Sequence, residues 1–421
     1  MVGRSLANCP DGHFVVASDE TPFEWSAVTQ ISPAESPDLL PFADPGFQTD
    51  PYPAYRAVRD LTPVYASPLG VQVVVRHADV FRLLRDPRLS ARQLDFGVAS
   101  IFHDSMLGQD SPDHARLRKI SASWFTPARV AEWSVVMTDL VDRALDEAER
   151  QGGMNVPDDL SFPATFGTMA HILGVGVHEA QTCRQATLDI GRALRPAATD
   201  GDVAGAHDAF AWYVDYIQHL IDHKRAHPGD GMLDAFIAAE GAGAMTSAEV
   251  MATTTLFYAV GHLDNSFMIH NGIRLLMERP SVARAFADDA ETRMPVVAEI
   301  LRFDTPEQFV TRYVTEDVEL DGGVLPAGEV AILLLGSGNR DEREFPDPDS
   351  FVADRPNVQK MHLAFGGGQH GCAGQVLARA QGDIAIARFF QRFPNARMAG
   401  DVEFANTEFI RGITSMPVAV G

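Results

Sequence analysis

The residues most able to do chemistry lie in a glycine-rich loop near the carboxyl-terminal end of the chain. Residues Phe365–Gly374 read FGGGQHGCAG, with five glycines in ten residues. Glycine lets the backbone approach a flat or bulky group closely. Cys372 stands directly before a predicted helix, Gly374–Phe393, whose first N–H groups would stabilise a thiolate. A thiolate held in this way can bind a metal ion.

Two other interpretations of this loop stay open on the residues alone. A glycine-rich loop before a helix can bind phosphate, but Gln375-Val376 stands here in place of the Lys-Ser/Thr of a P-loop. Alternatively, Cys372 is an ordinary thiol in a structural turn. An isolated loop of this kind is therefore compatible with a metal ligand, an anion site or a turn.

The loop also matches the haem-binding signature of the cytochrome P450 family, Phe-Gly-x-Gly-x-His-x-Cys-x-Gly, and the resemblance extends over most of the chain. It implies haem b (iron protoporphyrin IX) as the cofactor, with Cys372 as the axial thiolate and metal ligand. A thiolate ligand pushes electron density onto haem iron and favours O–O cleavage. The resemblance also makes Phe365, Gly366 and Gly374 cofactor contacts. The six fixed positions are Phe365, Gly366, Gly368, His370, Cys372 and Gly374.

A second resemblance is the pair Glu299-x-x-Arg302 on a predicted helix. Residues three apart lie on one helical face, so their side chains can bond to each other. In the family this pair joins an arginine from the coil before the cysteine loop, and Arg355 is the matching residue here. The resemblance implies a structural role for all three residues.

Four further residues stand where the family places partners of the haem propionates. His114 and Arg118 belong to the segment 110–127, which is similar to the family's third-helix motif. Arg312 and His362 follow later in the chain. Because cationic and hydrogen-donating groups suit carboxylates, the resemblance implies that these four side chains bind the cofactor.

The segment expected above the iron departs from the family. Where the family carries Ala/Gly-Gly-x-Asp/Glu-Thr, this chain reads VGHLDNS over residues 260–266. In one register Gly261 keeps the small position and Asp264 replaces the threonine. In a register shifted by one, Asp264 is the acid and Asn265 replaces the threonine. The distance to the next proline favours the first register. The residues predicted to handle O2 and protons are Gly261, His262, Asp264 and Asn265.

The missing threonine leaves three functions open. The first is a haem-thiolate monooxygenase that uses O2 and electrons from a ferredoxin-type donor. It would insert oxygen into, or oxidatively couple, an apolar small molecule, by analogy in natural-product biosynthesis. The second is a haem-thiolate isomerase or dehydratase that needs no O2, and the third is a haem-binding sensor without turnover. We expect the first, and electron-supported turnover separates it from the others.

Four segments are predicted to line the substrate pocket, namely residues 92–106, 175–215, 303–310 and 409–416. Their apolar side chains suit an apolar substrate, and Gln308 is placed to orient a polar group. The predicted substrate contacts are Phe96, Phe102, Leu263, Gln308, Phe309 and Ile413.

Electrons must come from another protein, because the chain carries no flavin or iron–sulfur motif. Acidic ferredoxins are the usual donors to bacterial members of the family. Despite the net charge of −23, we therefore expect a basic docking face on the cysteine side of the molecule. Its predicted members are Arg116, Arg118, Lys119, Arg379 and Arg388.

The composition excludes several classes of protein. The 421 residues are 46% hydrophobic and 22% charged, which is ordinary for a globular protein and rules out wholesale disorder. With 34 Lys and Arg against 57 Asp and Glu, the chain is a poor nucleic-acid binder. Three cysteines suggest a reducing compartment, and no apolar stretch reaches the roughly 20 residues that span a membrane. We therefore expect a cytoplasmic protein.

The elements that position these residues are predicted to be mainly α with a minor β part, in the α+β fold of a cytochrome P450. One long helix should cross the middle of the protein and carry residues 260–266 over the iron. It begins at the capping box Thr246-x-x-Glu249, and its 33 residues, Ser247–Arg279, would extend about 50 Å. The predicted organisation is one domain over 1–421, with an irregular arm at 1–50, a helix-rich part at 112–310 and small β elements at 60–76, 310–335 and 402–420.

Overall fold

The computed structural model describes residues 38–42, 44–94, 97–193, 198–405 and 409–421. Within these ranges the chain is mainly helical with small sheets, which confirms the predicted α+β class, and no helix there is long and apolar enough to cross a membrane. The helices are α1 Pro45–Thr49, α2 Tyr52–Leu61, α3 His77–Leu83, α4 Asp113–Ala122, α5 Pro127–Gln151, α6 Phe162–Leu173, α7 Ala180–Ala193, α8 Asp200–Ala226, α9 Met232–Gly241, α10 Ser247–Val260, α11 Leu263–Met277, α12 Pro280–Asp288, α13 Ala290–Phe303, α14 Leu335–Gly338, α15 Val358–Met361 and α16 Gln375–Arg392. The strands are β1 Val64–Ala66, β2 Gln72–Val74, β3 Leu89–Ser90, β4 Gly153–Asn155, β5 Val310–Val314, β6 Val318–Leu320, β7 Gly323–Leu325, β8 Val330–Leu333, β9 Arg397–Met398, β10 Glu403–Phe404, β11 Ile413–Ser415 and β12 Pro417–Ala419.

The largest sheet has five short strands in the order β1-β2-β8-β5-β3. Strand β8 is parallel to β2 and antiparallel to β5. In this register Arg312 stands opposite Ala331, so the centre of the sheet positions Arg312. A smaller sheet places β12 between β4 and β9, and two further pairs join β6 to β7 and β10 to β11. The three predicted β regions therefore all contain strands.

Four helices form the centre of the helical part. Helix α11 packs against α6 and α16, and α5 packs against the same two helices. Val141 of α5, Ile269 of α11 and Phe389 of α16 belong to one fully buried cluster. Because α16 starts directly after the cysteine loop, this packing sets the position of α11 relative to the loop.

The long central helix of the prediction is broken in two. Helix α10 begins at the predicted capping box, where the Thr246 side chain accepts a hydrogen bond from the Glu249 N–H. Helix α11 starts only after a gap of two residues. The expectation of one uninterrupted helix over Ser247–Arg279 is therefore wrong, and the gap falls inside the segment 260–266.

The break requires a glycine at position 261, because a side chain there would have no space. A Cβ on this residue would lie 2.4 Å from the Phe257 carbonyl oxygen and 2.8 Å from Cε of Met169. Only glycine therefore permits such a close approach. The next residue, His262, has φ −130° and ψ −25°, outside the helical region, so the regular hydrogen-bond ladder is interrupted.

The predicted irregular arm is described only in part, because residues 1–37 lie outside the described ranges. Its last residues are not irregular but form α1. The Asp44 carboxylate accepts hydrogen bonds from the N–H groups of Gly46 and Phe47, which have no partner within the helix. The Phe47 ring is buried against the sheet region, so this end of the arm is a capped helix attached to the body.

Candidate functional site

The cysteine loop is closed by its own backbone. The Cys372 N–H donates to the Phe365 carbonyl over 2.8 Å. The Gly371 N–H donates to the Gly368 carbonyl over 3.2 Å. Gly366 and Gly368 have φ of 62° and 64°, in the left-handed region that favours glycine. At these two positions glycine is therefore required by the fold of the loop itself.

Cys372 faces an internal cavity beside the start of α16. Its side chain is exposed although the residue lies deep in the protein. Burial raises the pKa of the thiol to about 11, against the effect of a hydrogen bond from the Gly374 N–H. The carboxyl groups of Asp264 and Glu307 raise this pKa further, so both lie near the same cavity. These surroundings keep the thiol protonated at neutral pH, and a metal ion that it coordinated would remove that proton.

Cations without an ion pair and histidines with unbonded nitrogens lie around this cavity, among the described residues. Arg118 and Arg312 form no ion pair there, and burial lowers the pKa of each. The rings of His114 and His370 lie 4.4 Å apart, and three of their four nitrogens are buried without a described hydrogen-bond partner, with His370 Nε2 3.8 Å from the Asp110 carboxylate. Buried donors are normally satisfied, and unpaired buried cations are costly. This donor set therefore fits the two carboxylates of a haem.

His362 lies beside the cysteine loop, where its ring packs 5.4 Å from the ring of Phe365. Its Nε2 is 3.5 Å from the Arg379 guanidinium, and its Nδ1 has no hydrogen-bond partner among the described residues. Burial, assisted by Arg379, lowers the pKa of His362 to about 3. The ring is therefore neutral and has one N–H to donate.

Glu299, Arg302 and Arg355 form a buried ion network. Arg302 donates from Nε and Nη2 to the two Glu299 oxygens, each over 2.7 Å. Arg355 donates from Nε to both oxygens of the same carboxylate over 3.1 Å. The other N–H groups of these two arginines donate to backbone carbonyls of the coil 339–350. The network therefore secures the coil that leads towards the cysteine loop.

Asp264 faces the cavity. It lies deep in the protein, yet part of its side chain remains accessible. Burial raises the pKa of its carboxyl to about 6. The carboxyl has no hydrogen bond or ion pair with another described residue, so it is free to meet a ligand or water in the cavity.

The two neighbours predicted to assist Asp264 point elsewhere. The His262 ring is fully buried and packs edge-on against Phe162 and Phe166 of α6. Burial lowers its pKa to about 3, so it is neutral, and neither nitrogen has a partner among the described residues. Asn265 donates a hydrogen bond to Gln381 of α16. The structure therefore does not bring His262 and Asn265 together with Asp264, as the sequence predicted.

Most predicted substrate contacts are packed into the core instead. The Phe309 ring packs edge-on against Phe42, and the Tyr55 hydroxyl donates to Gln308 over 3.2 Å. Both contacts belong to the buried region around β2 and α2. The structure therefore does not show the predicted shared apolar lining. Phe102, Leu263 and Ile413 are buried in three separate clusters, and Phe96 lies outside the described residues.

Glu307 is the cavity residue that the sequence prediction missed. It belongs to the segment 303–310, which was predicted to line the pocket through Gln308 and Phe309. Its backbone forms an antiparallel bridge, and successive side chains of extended chain point to opposite sides. Burial, followed by the Asp264 carboxylate, raises the pKa of Glu307 to about 8. The alternation of side chains between the two sides of this short extended segment was the sequence signal that would have identified Glu307 as a cavity residue.

The predicted basic docking face carries few free charges among the described residues. Arg116 and Arg388 each form ion pairs with acidic side chains. Arg118 and Arg379 are half-buried beside the cavity. Of the five predicted members, Lys119 is exposed without an ion pair among the described residues. Paired and half-buried charges present a weaker field to an approaching partner, and the docking face stays a prediction.

Comparisons with known proteins agree with this site. The Cytochrome P450 family model matches residues 201–413. Cytochrome P450 monooxygenase PikC of Streptomyces venezuelae is 30% identical over 93% of this chain and 96% of its own. Nocardicin C N-oxygenase of Nocardia uniformis subsp. tsuyamanensis is 32% identical over 90% of this chain and 97% of its own. The crystal structure of P450BioI with an acyl carrier protein ligated to hexadec-9Z-enoic acid has a TM-score of 0.84 at 26% identity, over 89% of this chain and 99% of that one. With its cysteine facing a cavity of unpaired donors, the chain belongs to the cytochrome P450 family and is an oxidoreductase of the monooxygenase type.

Proposed function

We propose that this P450 uses O2 and electrons from a ferredoxin-type donor to insert oxygen into, or oxidatively couple, an apolar small molecule of the natural-product kind. The observation that carries the proposal is the position of Cys372. Its thiol lies deep but faces a cavity beside Arg118 and Arg312, which form no ion pair among the described residues, and beside histidine nitrogens that lack a described hydrogen-bond partner. Such surroundings suit haem b bound through a thiolate.

Haem b at this site would supply the activation of O2, and the Cys372 thiolate would hold its iron. Arg118 and Arg312 would pair with the propionates, because each is a buried cation without a described ion-pair partner. His362, which burial keeps neutral, and His114, whose pKa burial lowers, would each donate an N–H to the same carboxylates. The chain's contribution is to bind and orient the cofactor.

Asp264 is the residue that would replace the missing threonine in handling protons. A carboxyl with a pKa of about 6 can both hold and release a proton near neutral pH. Gly261 is sterically obligatory in the break between α10 and α11, which supports the register that keeps it in the small position. Since His262 and Asn265 are engaged elsewhere, Asp264 is the group of this segment that meets the cavity.

The first test is the absorption spectrum of the reduced protein under carbon monoxide. We expect the band of a thiolate-ligated haem in the wild type and its loss in Cys372→Ser. Cys183→Ser is the matched control, because Cys183 is a buried cysteine that bonds to Tyr213 away from the cavity. A thiolate band that persists in Cys372→Ser would overturn the assignment of the ligand.

The second test separates the three functions. Apolar natural products are incubated with O2 and a reduced ferredoxin, and the products are identified by mass. Products that gain one oxygen, or that lose two hydrogens, only when electrons are supplied support the proposal. Products that form without electrons would indicate an isomerase or dehydratase. A normal haem spectrum with no product and no electron consumption would indicate a sensor.

A further inference from the structure

Two carboxyl groups, those of Asp264 and Glu307, lie close enough at the cavity to affect each other electrostatically. Both lie deep in the protein and both keep accessible side-chain surface. Neither carboxyl has a hydrogen bond or ion pair with another described residue. The proposed function uses Asp264 as a proton carrier, but it gives no role to Glu307.

The backbone brings these two residues together. Glu307 forms its antiparallel bridge with Ile410. The Ile410 side chain packs in one buried cluster with Leu263 and Phe267 of α11. Because Leu263 directly precedes Asp264, the Glu307 segment lies against the start of α11. The electrostatic effect of Asp264 on the pKa of Glu307 agrees with this placement.

The charged groups around the pair leave it without a partner of its own. Arg312, on β5, is the cation that acts on Glu307, but it does not form an ion pair with it. Arg312 also belongs to the donors that fit the haem carboxylates. From the start of α16 the pair faces Cys372, which offers no positive charge. Two buried carboxyl groups in this position are costly when ionised, unless a proton or a cation neutralises them.

The residues around the two carboxyl groups indicate which kind of cation they can bind. No three His, Cys, Asp or Glu side chains come together among the described residues, so a metal cation would have too few ligands. The cluster of Leu263, Phe267 and Ile410 that positions the pair is buried, so it shields the carboxyl groups from bulk water on that side. Shielded carboxylates with too few neighbours to complete a metal coordination shell suit an organic cation.

We propose that Asp264 and Glu307 recognise a positively charged nitrogen, so that the substrate of this P450 is an apolar organic monocation such as a tertiary or quaternary amine. The inference rests on the proposed function, because it takes this cavity as the substrate pocket. Two acids that share one proton carry one negative charge. A monocation balances that charge and leaves one proton on the pair.

Binding to the haem-loaded protein tests the proposal without turnover. The probes are decyltrimethylammonium, a permanent cation that cannot ligate iron through nitrogen, and decyldimethylamine N-oxide, which is net neutral and of similar shape. Dissociation constants are measured by calorimetry below the micellar range, near pH 8. We expect the cation to bind on the order of tenfold more tightly, the scale of a desolvated charge pair.

Conservative variants locate the effect. Glu307→Gln and Asp264→Asn should each reduce the ratio of the affinity for the cation to the affinity for the N-oxide several-fold. Glu316→Gln, at an exposed position, is the matched control. Equal affinity of the wild type for the two probes overturns the proposal, even if a variant does not fold. A preference that survives in both variants also overturns it.

The spectrum separates this failure from a failure of the proposed function. A normal thiolate band together with no preference for the cation overturns only the substrate class. Loss of the thiolate band overturns the proposed function, since the cavity would then not be a haem pocket.

Discussion

The Nδ2 group of Asn265 donates a hydrogen bond to Oε1 of Gln381 over 2.8 Å and so joins α11 to α16. Gln381 is 1% exposed, so its oxygen has no access to bulk water. Asn265 directly follows Asp264, and α16 starts directly after the Cys372 loop. The bond therefore joins the start of the helix that carries Asp264 to the helix that follows the Cys372 loop.

We expect Asn265→Ala to lower the free energy of unfolding by about 1–2 kcal/mol, because it leaves the buried Gln381 oxygen without its donor. Gln381→Glu keeps an acceptor but places a carboxylate at a buried position, so it should lower stability at least as much. Urea unfolding of the haem-loaded protein measures both effects. If Asn265→Ala kept full stability but wasted electrons as hydrogen peroxide, Asn265 would belong to the proton path after all.

Removal of the Asp264 carboxyl should uncouple O2 consumption from product formation. We expect Asp264→Asn to lower product formation on the order of 10²-fold, the usual contribution of a positioned proton carrier, and to raise hydrogen peroxide release. The ratio of product to electrons consumed is the measurement. Asp288→Asn, at an exposed position, serves as the control. A variant at Asp264 with unchanged coupling would refute the assigned role.

The stability of the protein should fall as the pH rises through the range in which the cavity carboxyls ionise. Burial raises the pKa of Asp264 from 3.8 to about 6 and that of Glu307 from 4.5 to about 8. The folded state therefore binds more protons than the unfolded state between about pH 4 and 8, so ionisation destabilises it increasingly over this range. Below about pH 4 this destabilisation is absent, and above about pH 8 it reaches its full value.

Glu307→Gln should for this reason be more stable than the wild type at about pH 8.5 and equally stable at about pH 4. The midpoint of urea unfolding, measured across this range, checks the prediction. Glu316→Gln should follow the wild type throughout. The same pH dependence in Glu307→Gln and in the wild type would show that Glu307 keeps its ordinary pKa.

A side chain at Gly261 should disturb the break between α10 and α11. Because a Cβ there would meet the Phe257 carbonyl at 2.4 Å, we expect Gly261→Ala to cost about 1–3 kcal/mol of stability. Gly191→Ala, inside α7 with nothing within 4 Å of the new Cβ, should be neutral or stabilising. Urea unfolding compares the two variants. Equal stability of both would mean that the break tolerates a side chain.

Local patterns in the sequence predicted the α+β class and the start of α10. The capping box needs residues three apart, and a helix or short strand depends on runs of neighbouring residues. The signature around Cys372 and the pair Glu299-x-x-Arg302 could be recognised for the same reason. Their members are close in the chain, and their spacing alone places them on one loop or one helical face.

Only the tertiary structure decided which way the residues of segment 260–266 point. The sequence predicted a continuous helix, but the helical dihedral angles end at His262, next to Gly261, where Met169 of α6 and Phe257 leave no room for a Cβ. That interruption turns His262 towards α6 and leaves Asp264 facing the cavity. The 3.6-residue periodicity of a helix cannot reveal such an interruption, because the interruption depends on packing against an element about 90 residues away in the chain.

The partners of the site residues also come from distant parts of the chain. Asn265 bonds to Gln381, and Glu307 approaches Asp264 through its bridge to Ile410. The sequence by itself determined which chemical groups the protein carries, and above all the thiol of Cys372. Which of those groups share a cavity was decided by packing, since burial and charge proximity exist only after the helices and sheets have come together.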